Sequence, residues 1–306
     1  MAQLKRLRLK LFPGSHTLPL VLAASHGCFE RQGLEVEMLF TVNSQELRDD
    51  LGEGRVELAQ AAVDNAVAMA ELAGHDVVIV TGGDSGMSEL FVQPDVPSVA
   101  ALKGQTVIVD APNTAYALQL KKILLLGGLK AGDYTLLPVG GTSFRLKAMR
   151  ENRDYKASML NPPFSVEGAA AGLKSLGKAT DFIGPYQAQG TFVLRKWALA
   201  NGEILERYIA AVVQATRWVL DSANKAAAVS LLAERNKLDG RLAERTWELM
   251  SDPKSGLAPD ARFDPEGFRN VLALRAEIEG SWGGQPPAPE RYYDLSYYEK
   301  ALKRLR

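Results

Sequence analysis

The 306-residue chain is longer than one hydrophobic core usually serves, so two lobes are expected. Thirty-six basic residues offset thirty-six acidic ones, which leaves no net field to draw in nucleic acid or an anionic membrane. The single cysteine excludes an internal disulfide and any metal site built from several thiolates. The three histidines show no ligand spacing such as His-Glu-x-x-His.

Leu7, Leu9 and Leu11 alternate with Arg6, Arg8 and Lys10, the period-two pattern of a half-buried strand. The same stretch imitates an export signal ending at Cys28, but Pro13-Gly14-Ser15-His16 interrupts its apolar run and His26 suits a lipidation site badly. No stretch reaches the ~18 apolar residues of a membrane span. The expectation is a periplasmic protein if an export signal has been removed, and otherwise a cytoplasmic one.

Strands are predicted at 7–12, 34–40, 56–61 and 77–81, with helices at 18–32, 45–52 and 65–73 between them. A second set follows, with strands at 106–109, 135–138 and 157–160 and helices at 114–126, 143–152 and 164–171. Such alternation implies β-α-β units, hence parallel sheets faced by helices, an α/β fold. Two short apolar strands, 88–92 and 190–194, stand apart. If both cross between lobes as a two-strand hinge, residues 1–90 plus 191–306 form one discontinuous lobe and 91–190 an inserted one. The alternative is two further strands of one large sheet. From Asn201 onward the chain turns helical, with Asn201 as a helix cap. Asp264-Pro265-Glu266 is a second start signal, with proline at the first helical position.

Each strand is followed by a small polar turn: 13–17, 41–44, 62–65, 82–86, 110–114, 140–143 and 161–164. Ligands of open α/β sheets bind at such carboxyl ends, while each turn alone is a sufficient helix cap. Tyr116, Phe164 and Tyr186 are candidates for stacking on a ligand and equally for the core. Gly83-Asp84-Ser85-Gly86 echoes a protease nucleophile loop, but the fold signal is parallel α/β. There is no Gly-x-Gly-x-x-Gly after the first strand and no Walker loop. Cys28 reads as a small core residue, because His26 lies two positions away on a helix and faces elsewhere.

Gly27-Cys28-Phe29-Glu30-Arg31-Gln32-Gly33-Leu34-Glu35-Val36 resembles the G-x-F-x-x-x-G-L-x-V segment of substrate-binding proteins of the sulfonate/nitrate and thiamine-pyrimidine type. Gly54-Arg55-Val56-Glu57-Leu58-Ala59 is similar to their Gly-x-x-Asp-hydrophobic-Ala, with Glu57 in place of the usual Asp. Leu102-Lys103-Gly104-Gln105-Thr106-Val107-Ile108-Val109 is similar to the L-K-G-K-x-I-x-V that opens their second lobe, and Tyr292–Tyr297 is similar to their C-terminal segment. The resemblance implies a two-lobed type II periplasmic-binding-protein fold with a helical C-terminal part. It implies ligand contacts at Ser15, His16, Asn43, Ser44, Asp64, Asn65, Ser85, Asp110, Asn113, Thr114, Gly141, Thr142 and Asn161. Pyrimidine synthases of that family carry a cysteine-rich iron motif, which this chain lacks.

The reading that follows is a monomeric solute-binding protein, without cofactor or metal, serving the membrane subunits of an ABC importer. The alternative is an enzyme on the same fold: a decarboxylase, desulfinase or biosynthetic lyase. Helix N-termini favour an anionic ligand, whereas Asp64 and Asp110 oppose one. A neutral or zwitterionic small molecule reconciles the two.

Overall fold

The computed structural model describes residues 3–306. Its strands are β1 (Lys5–Leu11), β2 (Leu34–Phe40), β3 (Leu58–Ala62), β4 (Val77–Ile79), β5 (Glu89–Val92), β6 (Thr106–Val109), β7 (Thr135–Pro138), β8 (Tyr155–Leu160), β9 (Lys174–Lys178) and β10 (Gln189–Leu194). They form two five-stranded sheets, ordered β2-β1-β3-β10-β4 and β7-β6-β8-β5-β9. Both sheets share one plan. The β1–β3 and β6–β8 pairings are parallel, and β10 in one sheet and β5 in the other run antiparallel to both neighbours.

The strands expected to cross between lobes do not run side by side. β5 pairs with β8 and β9 inside the second sheet, and β10 with β3 and β4 inside the first. Nearly every residue of these two strands is buried, so each needs sheet neighbours and cannot stand alone in a linker. The chain crosses just before each of them, through residues 80–88 and 179–188. These crossings meet where Asp84 bridges Gln189 and the Ala188 N–H donates to the Asp84 carbonyl at 3.2 Å.

Helices cover both faces of each sheet, as crossover connections require. On one face of the first sheet Leu7, Leu9 and Leu11 pack with Phe29, Tyr208 and Ile209 of the helices that follow. On the other, Phe192 packs with Leu47, Val67, Phe268 and Tyr292. The second sheet has its own cores, one around Val107, Leu120 and Met159 and one around Ile108, Leu146 and Leu160. Lys10, expected on an open face, is buried instead. Helix Ser44–Gly52 covers it and supplies Glu46 and Asp50, the latter 2.8 Å from its Nζ.

Two local expectations change. The helix read over 18–32 breaks at Gly27, whose φ of 67° suits glycine. Asn201 does not cap through its side chain, because its Nδ2 donates back to the Trp197 carbonyl at 3.0 Å. Asp264 does cap, accepting from the Glu266 N–H. Among the described residues no helix is long and apolar enough to cross a membrane.

Candidate functional site

The carboxyl ends of the parallel strands in both sheets surround one cavity of about 540 Å³. The first sheet brings Phe12, Pro13 and His16 after β1, Val42–Gln45 and Arg48 after β2, and Ala62 and Asn65 after β3. The second brings Asp110–Tyr116 after β6, Val139–Arg145 after β7, and Asn161 and Phe164 after β8. Ten of the residues expected at a ligand therefore lie around one space: His16, Asn43, Ser44, Asn65, Asp110, Asn113, Thr114, Gly141, Thr142 and Asn161. The turn after β4 does not reach this cavity, because it forms the crossover.

The wall carries two guanidinium groups. Arg145 is fully buried, and its hydrogen bonds go to neutral acceptors: Ser158 Oγ at 3.0 Å, the carbonyls of Gly140 and Met159 at 2.7 and 2.9 Å, and Thr142 Oγ1 at 3.1 Å. The guanidinium lies 5.1 Å from the centre of the Tyr116 ring. Burial lowers its pKa while Asp110 acts to raise it. Arg48 donates to Asn65 Oδ1 at 3.2 Å and Gln45 Oε1 at 2.8 Å, also neutral groups. Helix Thr142–Glu151 begins at the wall; the Phe144 and Arg145 N–H groups donate to the Gly141 carbonyl at 3.0 and 3.1 Å, which leaves those of Thr142 and Ser143 without an intrahelical partner.

Three expected residues lie outside the cavity. Asp64 is spent on Arg275, which approaches both its oxygens at 2.7 Å in a pair that is 5% exposed on each side. Burial alone would lower the Arg275 pKa, but the Asp64 carboxylate outweighs it and raises it. The Ser15 hydroxyl donates to the Pro162 carbonyl at 2.8 Å. Ser85 sits in the crossover, its N–H on the Gly256 carbonyl at 3.1 Å. The approach there is close, for a β-carbon on neighbouring Gly82 would meet the Arg262 carbonyl oxygen at 2.1 Å. Tyr116 and Phe164 line the cavity, whereas Tyr186 is core, 2% exposed.

Removing Asp64 from the cavity changes the charge balance. Asp110 remains as the wall's one carboxylate against Arg48 and Arg145, so an anionic group is favoured rather than opposed. His16 adds no charge, since burial lowers its pKa to about 4. Among the described residues no group of three or more His, Cys, Asp or Glu side chains is placed to hold a metal ion.

Residues 15–226 match the family described as NMT1/THI5 like. The chain belongs to that family. No curated protein matches it. Among solved structures, the ligand-binding component of an ABC-type import system from Staphylococcus aureus, determined with zinc bound, superposes with a TM-score of 0.80. The two are 14% identical over 97% of this chain and 99% of that one. The periplasmic nitrate-binding protein of Synechocystis PCC 6803 has a TM-score of 0.80 at 13% identity, over 99% and 90% of the two chains. A desulfurization enzyme is similar at 0.70 and 16%, over 99% and 100%. These likenesses establish the two-lobed fold of periplasmic binding proteins.

Sequence reasoning missed Arg48, Arg145 and Gln189 at the cavity. Arg48 and Arg145 each lie one turn inside a helix that starts on a strand-end turn expected at the ligand, and that placement is the available signal. Gln189 opens β10, and nothing in its neighbours distinguishes it from core.

Proposed function

We propose that this protein is the solute-binding component of an ABC importer, closing two lobes on a small organic anion and presenting it to the importer's membrane subunits. The lobes divide at the crossings, so that the chain before residue 80 together with 189–306 makes one lobe and 89–178 the other. The protein acts as a monomer outside the cytoplasmic membrane. One observation carries the reading: a cavity between the two sheets, built from strand-end turns of both, holds two guanidinium groups bonded to neutral partners. Its size suits an organic molecule of several carbons. The import-system and nitrate-binding neighbours support the same reading.

The test is a thermal-shift screen of organic acids, amines and neutral compounds, since a ligand that binds only the folded state raises the melting temperature. Acids are expected to dominate the hits, and Arg48→Gln to weaken them. A screen in which acids shift no more than neutral compounds overturns the anionic assignment. A second reading, an enzyme acting in this cavity, is favoured by the full-length likeness to the desulfurization enzyme. Mass spectrometry separates the two: a binding protein returns its ligand unchanged after prolonged incubation, and an enzyme does not.

A further inference from the structure

A recess of about 20 Å³ adjoins the main cavity on the crossover side, and His16, Tyr116, Asn161 and Gln189 line both. A space of that size admits one water or one –NH₃⁺ head and nothing larger. Three acceptors converge on it. His16 Nε2 and Gln189 Oε1 are buried with no hydrogen-bond partner, on side chains 8% exposed. The Asp84 carboxylate, 4% exposed, has only backbone N–H donors, that of Gly86 lying 3.0 Å away. Two other polar groups at the recess are already engaged: Ser88 Oγ donates to Gln119 Oε1 at 2.7 Å, and Asn161 Oδ1 accepts from Thr142 Oγ1 at 2.9 Å. Buried acceptors left unmade are costly, so a donor belongs there.

We propose that this recess is an inner subsite for a single amino or ammonium group, so that the ligand is an amino-bearing organic anion with its acid at Arg48 and its amine at His16, Gln189 and Asp84. The proposal rests on the main cavity being a ligand site. A neutral imidazole protonated on Nδ1 accepts through Nε2, which matches an N–H donor. Water supplies donors too, but only a cation also stabilises the ionised form of Asp84, which burial by itself disfavours. The aromatic side chains that line the cavity, Phe12, Phe164 and Tyr116, suit an apolar or ring-shaped middle.

Calorimetric titration with 4-(aminomethyl)benzoate and its isostere 4-ethylbenzoate tests this. The amine is expected to bind at least about ten-fold tighter to the native protein, about 1.4 kcal/mol. His16→Phe and Gln189→Leu are expected to abolish that preference. Equal binding of the two probes, or a preference that survives in both variants, overturns the subsite. If neither probe binds, methylammonium alone decides, followed by the ¹⁵N resonances of the three histidines. A saturable movement of His16 Nε2 supports the subsite, and a stationary resonance overturns it. Failure of benzoate to raise the melting temperature counts against the anion reading and leaves the methylammonium result standing.

Discussion

The hydroxyl of Thr114 donates to Asp110 Oδ1 at 2.5 Å and accepts the Ala117 N–H at 3.4 Å, so it is spent on starting a helix. Thr114→Val is therefore expected to lower stability by about 1 kcal/mol, the usual worth of such a cap, read as a shift in the urea midpoint. Unchanged stability with weaker binding would reverse this assignment and make the hydroxyl a ligand contact. Asp64→Ala is expected to cost more, about 3–5 kcal/mol, because it strands the buried Arg275 charge. Two other buried groups make stability depend on pH. Burial raises Asp84 from 3.8 to about 7, so between those values the folded chain holds a proton the unfolded chain has released, and stability falls as pH rises. His16, lowered from 6.5 to about 4, works in the opposite sense, and stability rises through that window. The two offset each other from about pH 4 to about 6.5. Asp84→Asn is expected to expose a rising stability over that range and His16→Gln a falling one, by denaturation at a series of pH values. Identical profiles in wild type and both variants would show that neither group titrates as described.

At the scale of elements, helix Ala115–Leu126 of the second lobe lies along helix Pro265–Glu279 from the C-terminal part of the chain. Lys121 reaches Glu279 at 2.7 Å, Lys122 reaches Glu277 at 2.6 Å, and Arg275 donates to the Asn113 carbonyl at 3.3 Å. Solvent-facing ion pairs contribute little singly, but these act across the gap between lobes, where a small bias moves a near-balanced equilibrium. Lys121→Glu combined with Lys122→Glu is expected to open the ligand-free protein, seen as a larger radius of gyration in small-angle scattering. An unchanged radius would show that other contacts hold the lobes. The same elements show what a sequence makes legible. Most strands announce themselves by apolar runs ending in polar turns, and the site follows because those turns share one edge of each sheet. Strand β9, Lys174-Ser175-Leu176-Gly177-Lys178, is half polar and contains glycine, so no periodicity marks it; pairing with β5 creates it. The role of Asp64 was hidden for a similar reason. Its partner lies 211 residues away, and local pattern carries no trace of such a contact.

For the whole molecule, the proposed function turns on relative motion of two bodies that are joined by two crossings and meet in apolar contact where Leu118 packs into the first lobe's core. In the present arrangement the lobes touch across the cavity mouth, where a β-carbon on Gly141 would lie 3.7 Å from Val42 Cβ. A disulfide needs β-carbons about 3.5–4.5 Å apart, so this pair suits one. The native Cys28 is buried in the first lobe's core and does not compete. Val42→Cys with Gly141→Cys is thus expected to form a reversible lock. Oxidised while empty, the protein should no longer admit ligand; oxidised after loading, it should no longer release it; a reductant should restore exchange in both cases. The reasoning is geometric: a ligand enclosed by turns from both sheets can leave only if the mouth widens, and the mouth widens only by rotation about the crossings. Exchange measured by stopped-flow at the same rate before and after oxidation would mean that the cavity fills without lobe movement. The importer reading would then lose the conformational signal on which it depends.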